Sequence, residues 1–257
     1  MQEERYQKIN ELLVKSNSVK VSELVQFLNV SVDTVRRDLE NMEKNGLLKR
    51  VHGGAVPLPD HGNKQSFPQR QSKYQAEKAE LAELASGLVS EGQAVAMNAG
   101  TTNVEVAKKL AERFERLTII TNGLQIVEPF AHKKGFVVIV PGGIVDYEEH
   151  ALYGANCEEQ IASYNIDVAF IACNAISLQK GLTDFRINEV GIIRKMLDCS
   201  RYNVVVADSS KFETTSYLNV APLNRIDRIV TDSHVSMSVV EKYAGQQTII
   251  VYPEVME

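Results

Sequence analysis

Long apolar runs are missing from this 257-residue chain. No stretch approaches the roughly 18 apolar residues of a bilayer-crossing helix, and no secretory apolar segment stands near the start. The expectation is a cytoplasmic protein with no membrane partner. Cysteine is scarce: Cys157, Cys173 and Cys199 are odd in number and far apart, which excludes a disulfide framework or a zinc-ligand spacing. They read as small buried hydrophobes. The five histidines are scattered, so neither a metal site nor a cofactor is expected. A strong charge of either sign is lacking as well. A net charge of −5 and a pI near 5.7 argue against a protein that coats nucleic acid or a membrane surface indiscriminately.

What is present is an ordinary globular composition, 44% hydrophobic and 24% charged, long enough for more than one domain. The first 56 residues form a recognisable unit. Residues 4–16 show a first amphipathic helix with Tyr6, Ile9, Leu12 and Leu13 inward, and Ser22 is expected to open a second with Leu24, Val25 and Leu28 inward. Asn29 suits the left-handed residue that ends it. Ser31 then caps a third helix whose buried stripe is expected to be Val32, Val35, Leu39 and Met42. Its other faces carry Asp33, Thr34, Arg36 and Arg37, side chains suited to phosphates and guanine edges in a major groove. Asn45-Gly46 stops the helix, and residues 47–56 read as a hairpin wing with Lys49, Arg50 and His52 beside the duplex backbone. The architecture is a winged helix-turn-helix. The candidate DNA-binding residues are Ser22, Ser31, Asp33, Thr34, Arg36, Arg37, Lys49, Arg50 and His52, whereas Asp38 is expected to pair with a neighbouring arginine or a backbone donor.

In residues 1–56, five Lys and four Arg face two Asp and six Glu, a net of +1. Such weak charge implies that useful affinity needs two half-sites read by an oligomer, a homodimer or homotetramer.

Arg5, Ile9, the run Ser31-Val-Asp-Thr-Val-Arg-Arg-Asp-Leu39 and the Leu-Lys-Arg-Val-His-Gly-Gly-Ala tail resemble the DeoR family of bacterial transcriptional regulators. Beyond them, residues 57–72 lose periodicity and read as a linker, with Pro57, Pro59, Gly62 and Pro68. A helix is expected from Ser72 to about Leu88. Residues 73–257 then alternate apolar runs of strand length with helical patterns. Strands are expected at 94–98, 117–121, 136–140, 167–172, 203–207, 226–231 and 248–252, and helices at 103–114, 124–131, 157–164, 188–199 and 235–243. Continuous Val/Ile runs between helices mean a mainly parallel α/β sheet covered on both faces.

Ligands of such sheets bind beyond the carboxyl ends of the strands. Five loops there carry small or polar residues: 98–102, 121–123, 141–143, 173–184 and 208–211. Together they are complementary to a phosphorylated polyol, with phosphate at the Gly-Thr-Thr loop and Lys211, and hydroxyls at Asn122, Thr183 and Glu189. They also resemble the DeoR-family sensor domain, similar in fold to ribose-5-phosphate isomerase. That resemblance implies a phosphorylated-sugar effector at Gly100, Thr101, Thr102, Gly142, Gly143, Thr183, Glu189 and Lys211, to which the same loops add Asn98 and Asn122 as candidate effector-binding residues. Two positions depart from the family's pattern. Asn98 stands where an aspartate is common, and Ala172-Cys173-Asn174-Ala175 replaces a glycine-rich stretch.

Outside these loops, Arg186, Arg194 and Arg201 are expected as solvated helix surface, residues 148–150 as a solvated polar loop, and Asp232-Ser233-His234 as a simple turn. The functional expectation is a repressor of a carbohydrate-utilisation operon that binds double-stranded operator DNA under the control of a phosphorylated sugar. The alternative is a sugar-phosphate isomerase with an accessory DNA-binding domain, in which Glu189 or Asp184 would be the base and Lys211 would stabilise the enediolate. With Asn98 replacing a carboxylate, no catalytic residue is assigned.

Overall fold

The computed structural model describes residues 5, 6, 8, 9, 12, 13, 18–44, 48–51, 53–56, 65–245 and 249–253. The chain divides into two compact units, Met1–Gln65 and Ser66–Glu257.

In the first unit, residues 5, 6, 8, 9, 12 and 13 are helical. Strand β1 (Val19–Lys20) leads into helix α1 (Val21–Leu28), and helix α2 (Val32–Lys44) precedes a hairpin of β2 (Lys49–Val51) and β3 (Gly54–Val56). The small sheet has the order β1-β3-β2 and is antiparallel throughout. Asn29 ends α1 in the left-handed conformation, φ 52° and ψ 49°. The hairpin depends on its glycines: Gly53 turns at φ +83°, and a methyl group on Gly54 would lie 2.0 Å from the Val19 carbonyl oxygen. Ile9, Leu13, Leu24, Val35, Leu39, Met42, Leu48 and Ala55 fill the core.

Two expectations are corrected here. Ser22 is an exposed residue within α1, and the helix start is held instead by the Glu23 carboxylate, which accepts from the Lys20 N–H at 3.2 Å. Val32 is 42% exposed, because the buried stripe of α2 begins one turn later at Val35. Residues 45–47 and His52 lie outside the described residues.

The second unit opens with α3 (Phe67–Ser72) and α4 (Gln75–Ser86). Residues 66–72, expected in the linker, therefore begin this unit; residues 57–64 lie outside the described residues. The helix expected from Ser72 is broken at Tyr74, which takes φ +56° between α3 and α4. There follow β4 (Ala94–Met97), α5 (Thr101–Arg113), β5 (Thr118–Thr121) and β6 (Val137–Ile139). After the hairpin β7 (Ile144–Asp146) and β8 (Ala151–Tyr153) come α6 (Ala155–Ala162), β9 (Ile166–Ile171), β10 (Ala175–Ser177) and β11 (Gly181–Asp184). The unit ends with α7 (Ile187–Cys199), β12 (Ser200–Val206), β13 (Leu218–Ala221), β14 (Arg228–Val230), α8 (Met237–Ala244) and β15 (Ile249–Val251).

Seven strands form one parallel sheet in the order β15-β14-β12-β9-β4-β5-β6. All seven correspond to expected runs. Two apolar clusters cover its faces, one around Phe170, Met97 and Leu110, the other around Ile171, Met196 and Tyr243. The antiparallel pair β7-β8 and the three-stranded sheet β10-β11-β13 were not expected. Residues 124–131 form two 3₁₀ turns, Leu124–Ile126 and Glu128–Phe130, rather than one helix. Pro129 in the second turn has no N–H to give a continuing helix.

The sheet is built outward from β4. β5 and β6 are added on one side, β9, β12, β14 and β15 on the other. The connections therefore diverge between β4 and β9, the switch point at which doubly wound sheets open a crevice beyond their carboxyl ends.

Candidate functional sites: a nucleic-acid face and an anion crevice

On α2 at 100° per residue, Val35, Asp38, Leu39 and Met42 point inward, while Asp33, Arg36, Arg37 and Glu40 form the opposite, exposed face. Ser31 caps the helix by accepting from the Thr34 N–H at 3.2 Å, and the two hydroxyls lie 2.9 Å apart. Those hydroxyls are engaged in holding the helix start. Asp38 is buried and takes the Arg5 guanidinium through Nε at 2.6 Å and Nη2 at 3.1 Å, the expected structural role. Lys49 and Arg50 are exposed on β2, and the Arg50 N–H donates to Glu43 at 2.8 Å, fastening the wing to α2. Two adjacent arginines thus stand exposed on a capped helix beside a basic strand.

In the second unit, the carboxyl ends of β4, β5 and β9 meet in a buried network. Asn98 follows β4. Its Oδ1 accepts from the Ala172 N–H at 2.8 Å, and its Nδ2 donates to the Ala172 carbonyl at 3.0 Å and to Glu189 at 3.3 Å. Asn122 follows β5. Its Oδ1 accepts from the Ala99 N–H at 2.9 Å, and its Nδ2 donates to the Leu152 carbonyl at 3.0 Å and to Glu189 at 2.7 Å. The two amides clamp the strand ends across the switch point. Both Glu189 oxygens are occupied by them. Burial pushes the Glu189 carboxyl up to about 7, although Arg186 and the two amides favour its ionised form.

Arg186 corrects the expectation of a solvated side chain. It is buried, donates to Asp184 through Nε at 2.9 Å and Nη2 at 2.7 Å, and reaches the Ala99 and Ala172 carbonyls at 2.6 and 3.1 Å. Burial opposes both charges of this pair, yet each stabilises the other. Asp184 is held below its ordinary value and Arg186 above its own. Thr183, on β11, is fully buried and its hydroxyl accepts from the Ser216 N–H at 2.8 Å.

Above this network lies the start of α5. Gly100 precedes it, and a methyl group there would sit 2.8 Å from the Ala172 side chain and 3.7 Å from Arg186. The first helical bond runs from the Val104 N–H to the Gly100 carbonyl at 3.2 Å. The N–H groups of Thr101, Thr102 and Asn103 therefore belong to the helix end that favours anions. Lys211 occupies a 3₁₀ turn after β12, fixed by Asp208 and by Asp232, whose carboxylate accepts from the Ser209 N–H at 2.6 Å. Asp232 also accepts from the His234 N–H at 2.9 Å, so this segment pins the Lys211 loop rather than serving as a bare turn. Gly142 and Gly143 lie between β6 and β7. The Gly142 N–H donates to Gln160, and a Cβ on Gly143 would meet the Tyr153 carbonyl at 2.6 Å.

Sequence reasoning missed Arg70 and Lys78. Lys78 is buried on α4 and donates to the Arg70 carbonyl and, at 2.7 Å, to the Lys73 carbonyl. Burial lowers its ammonium to about 8, with Asp208 opposing that and Lys211 adding to it. Arg70 pairs with Glu149 and lies over the rings of Phe67 and Phe185. His150, expected in a solvated loop with Glu149, packs edge-on against Phe67. The signal for Lys78 was present: it shares the inward stripe of Leu81, Ala82 and Ala85, a cation where the period calls for an apolar residue. Among the described residues no cluster of metal-ligating side chains occurs, and no helix is long and apolar enough to cross a membrane.

A winged helix-turn-helix followed by a parallel α/β unit with a buried polar network at its switch point defines the class of DNA-binding regulators that carry a second, sensor-type domain. The DeoR-like helix-turn-helix domain model matches residues 5–59, and that of the DeoR C-terminal sensor domain matches residues 73–233. The chain belongs to the DeoR family of transcriptional regulators. It is 36% identical to the transcriptional repressor AccR of Agrobacterium fabrum over 90% of each chain. It is 32% identical to the HTH-type transcriptional regulator GolR of Listeria innocua over 93% of this chain and 94% of that one. With the HTH-type transcriptional repressor GlcR of Bacillus subtilis it shares 33% identity, over 90% of this chain and 88% of the relative. Among solved structures, ribose 5-phosphate isomerase A of Methanocaldococcus jannaschii matches at TM-score 0.40 and 14% identity, over 55% of each chain. At that score the likeness carries no functional weight.

Proposed function

We propose that this regulator is a repressor whose operator binding is controlled by a phosphorylated sugar held at the start of α5, and that it works as a homo-oligomer. The observation that carries the reading is the α5 N-terminus, with Gly100, Thr101 and Thr102, opening at the switch point among Arg70, Lys78, Arg186 and Lys211. A helix end with free N–H groups among cations suits a dianionic phosphate. The names of AccR and GlcR as repressors support the direction of control. Arg36, Arg37, Lys49 and Arg50 supply the contacts to operator DNA, and two half-sites compensate for the weak net charge of each first unit.

Glu189, a buried carboxyl near neutrality, is the one feature that favours an isomerase instead. Its two oxygens accept from Asn98 and Asn122, which fix the carboxyl as a clamp between the ends of β4 and β5, and on that ground we assign it a structural role. The deciding experiment is a thermal-shift screen of sugars against their phosphates, with product analysis of every hit. A ligand at about a hundred times its Kd adds about 2.7 kcal/mol, several degrees in a chain of this size. A phosphate-dependent shift without turnover is expected. Turnover would establish the isomerase, and no shift with any phosphosugar would remove the anion site.

A further inference from the structure

Val32 is the first residue of α2, and its spacing from Val35, Leu39 and Met42 would place it in the core, yet it is exposed. Around the helix it stands about 20° from buried Leu39 and about 40° from exposed Arg36. Leu39 is seven residues farther along, whereas Arg36 is the next turn on the same side. The Val32 side chain therefore borders the charged face at the leading end of the helix. The hydroxyls beside it are already engaged, Ser31 with the Thr34 N–H and Thr34 with Ser31. Phe27 and Val51 are the other exposed large apolar side chains among the described residues of this unit, and they lie on α1 and β2. Val32 is thus the apolar side chain that accompanies the arginine pair.

In a helix-turn-helix, the residues that reach base edges come from the start of the recognition helix. Valine offers methyl groups and no donor or acceptor. In the major groove its one apolar counterpart is the C5-methyl group of thymine. We propose that Val32 selects a thymine in the operator by packing its methyl groups on that C5-methyl. This rests on contact of α2 with operator DNA through Arg36 and Arg37, and adds to it a specificity-determining residue and the base it selects.

The test uses the full chain and a duplex that it selects from a random library. Each thymine is replaced singly by uracil, which lacks only the methyl group, and affinity is read by gel-shift titration. In the wild type one such replacement weakens binding about fourfold, as the burial of one methyl group warrants. V32S loses a similar factor on the unmodified duplex and is indifferent to that replacement, so the two changes are not additive. Its salt dependence stays that of the wild type, because no phosphate contact is removed. V32T, which keeps one of the two methyl groups, lies between. Should V32S fail to fold, V32T and the wild-type scan decide the matter. A V32S protein still sensitive to the same thymine methyl, or a wild type sensitive to none, overturns the role of Val32 and leaves the arginine contacts standing. Wild-type affinity in the double variant R36A and R37A overturns both.

Discussion

Replacing Glu189 with glutamine tests the buried network through its pH dependence. The wild-type carboxyl is raised from 4.5 in the unfolded chain to about 7 in the folded one. Between those values the native state holds a proton that the unfolded state has released, so this group makes stability fall as pH rises. At about 1.36 kcal/mol per pKa unit, the cost at pH 8 relative to pH 4 is about 3 kcal/mol. The amide introduced by Glu189→Gln does not titrate and carries no such slope. It does bring a fixed penalty, because its single oxygen can accept from Asn98 or Asn122, while its NH₂ must face the other amide donor. The variant should therefore be the less stable protein at low pH and should recover by about 3 kcal/mol relative to wild type as pH passes from 4.5 to 8. Urea denaturation at four or five pH values measures this difference directly. A wild-type-minus-variant difference that does not change with pH would refute the account of Glu189.

Lys78 slopes the other way. Its ammonium is lowered to about 8, so its contribution makes stability rise with pH between 8 and 10.5, and Lys78→Met should flatten the wild-type curve across that window. Arg36→Ala with Arg37→Ala should lower operator affinity by at least a hundredfold with the thermal midpoint unchanged, since both side chains are exposed; gel-shift titration reads this. Lys211→Ala should abolish the effector's thermal shift while leaving operator binding in its absence intact. Gly100→Ala should cost about 1–3 kcal/mol and weaken effector binding, because the added methyl lies 2.8 Å from the Ala172 side chain; paired melting curves with and without ligand separate the two effects.

The parallel sheet was legible because each strand is a short Val/Ile run buried on both faces, and the helix-turn-helix because caps, period and the Arg pair coincide within one short stretch. The β7-β8 and β10-β11-β13 pairings were not legible. They are strands of three or four residues, such as Ala175–Ser177, whose partners are set by tertiary contacts rather than by local pattern. In the crevice, the loops at strand ends were found from topology alone. What each side chain does there was harder to read. Asn98, Asn122 and Thr183 look like ligand groups in a sequence, yet in the fold their polar atoms satisfy backbone and Glu189 partners. Arg186 looks like helix surface, and only its distance to Asp184 and the Ala99 carbonyl reveals a buried clamp. Burial is a property of packing, and no single sequence position announces it.

Under the proposed function, a phosphorylated sugar in the second unit governs DNA binding by the first. The most direct measurement is fluorescence anisotropy of the full chain on a duplex it selects from a random library, titrated with the phosphosugar found by thermal shift and with the same sugar unphosphorylated. The phosphorylated form should weaken DNA binding about 5- to 150-fold, in keeping with a coupling of about 1–3 kcal/mol, while the free sugar should have no effect. DNA affinity indifferent to the phosphosugar, or equally responsive to the free sugar, would contradict it.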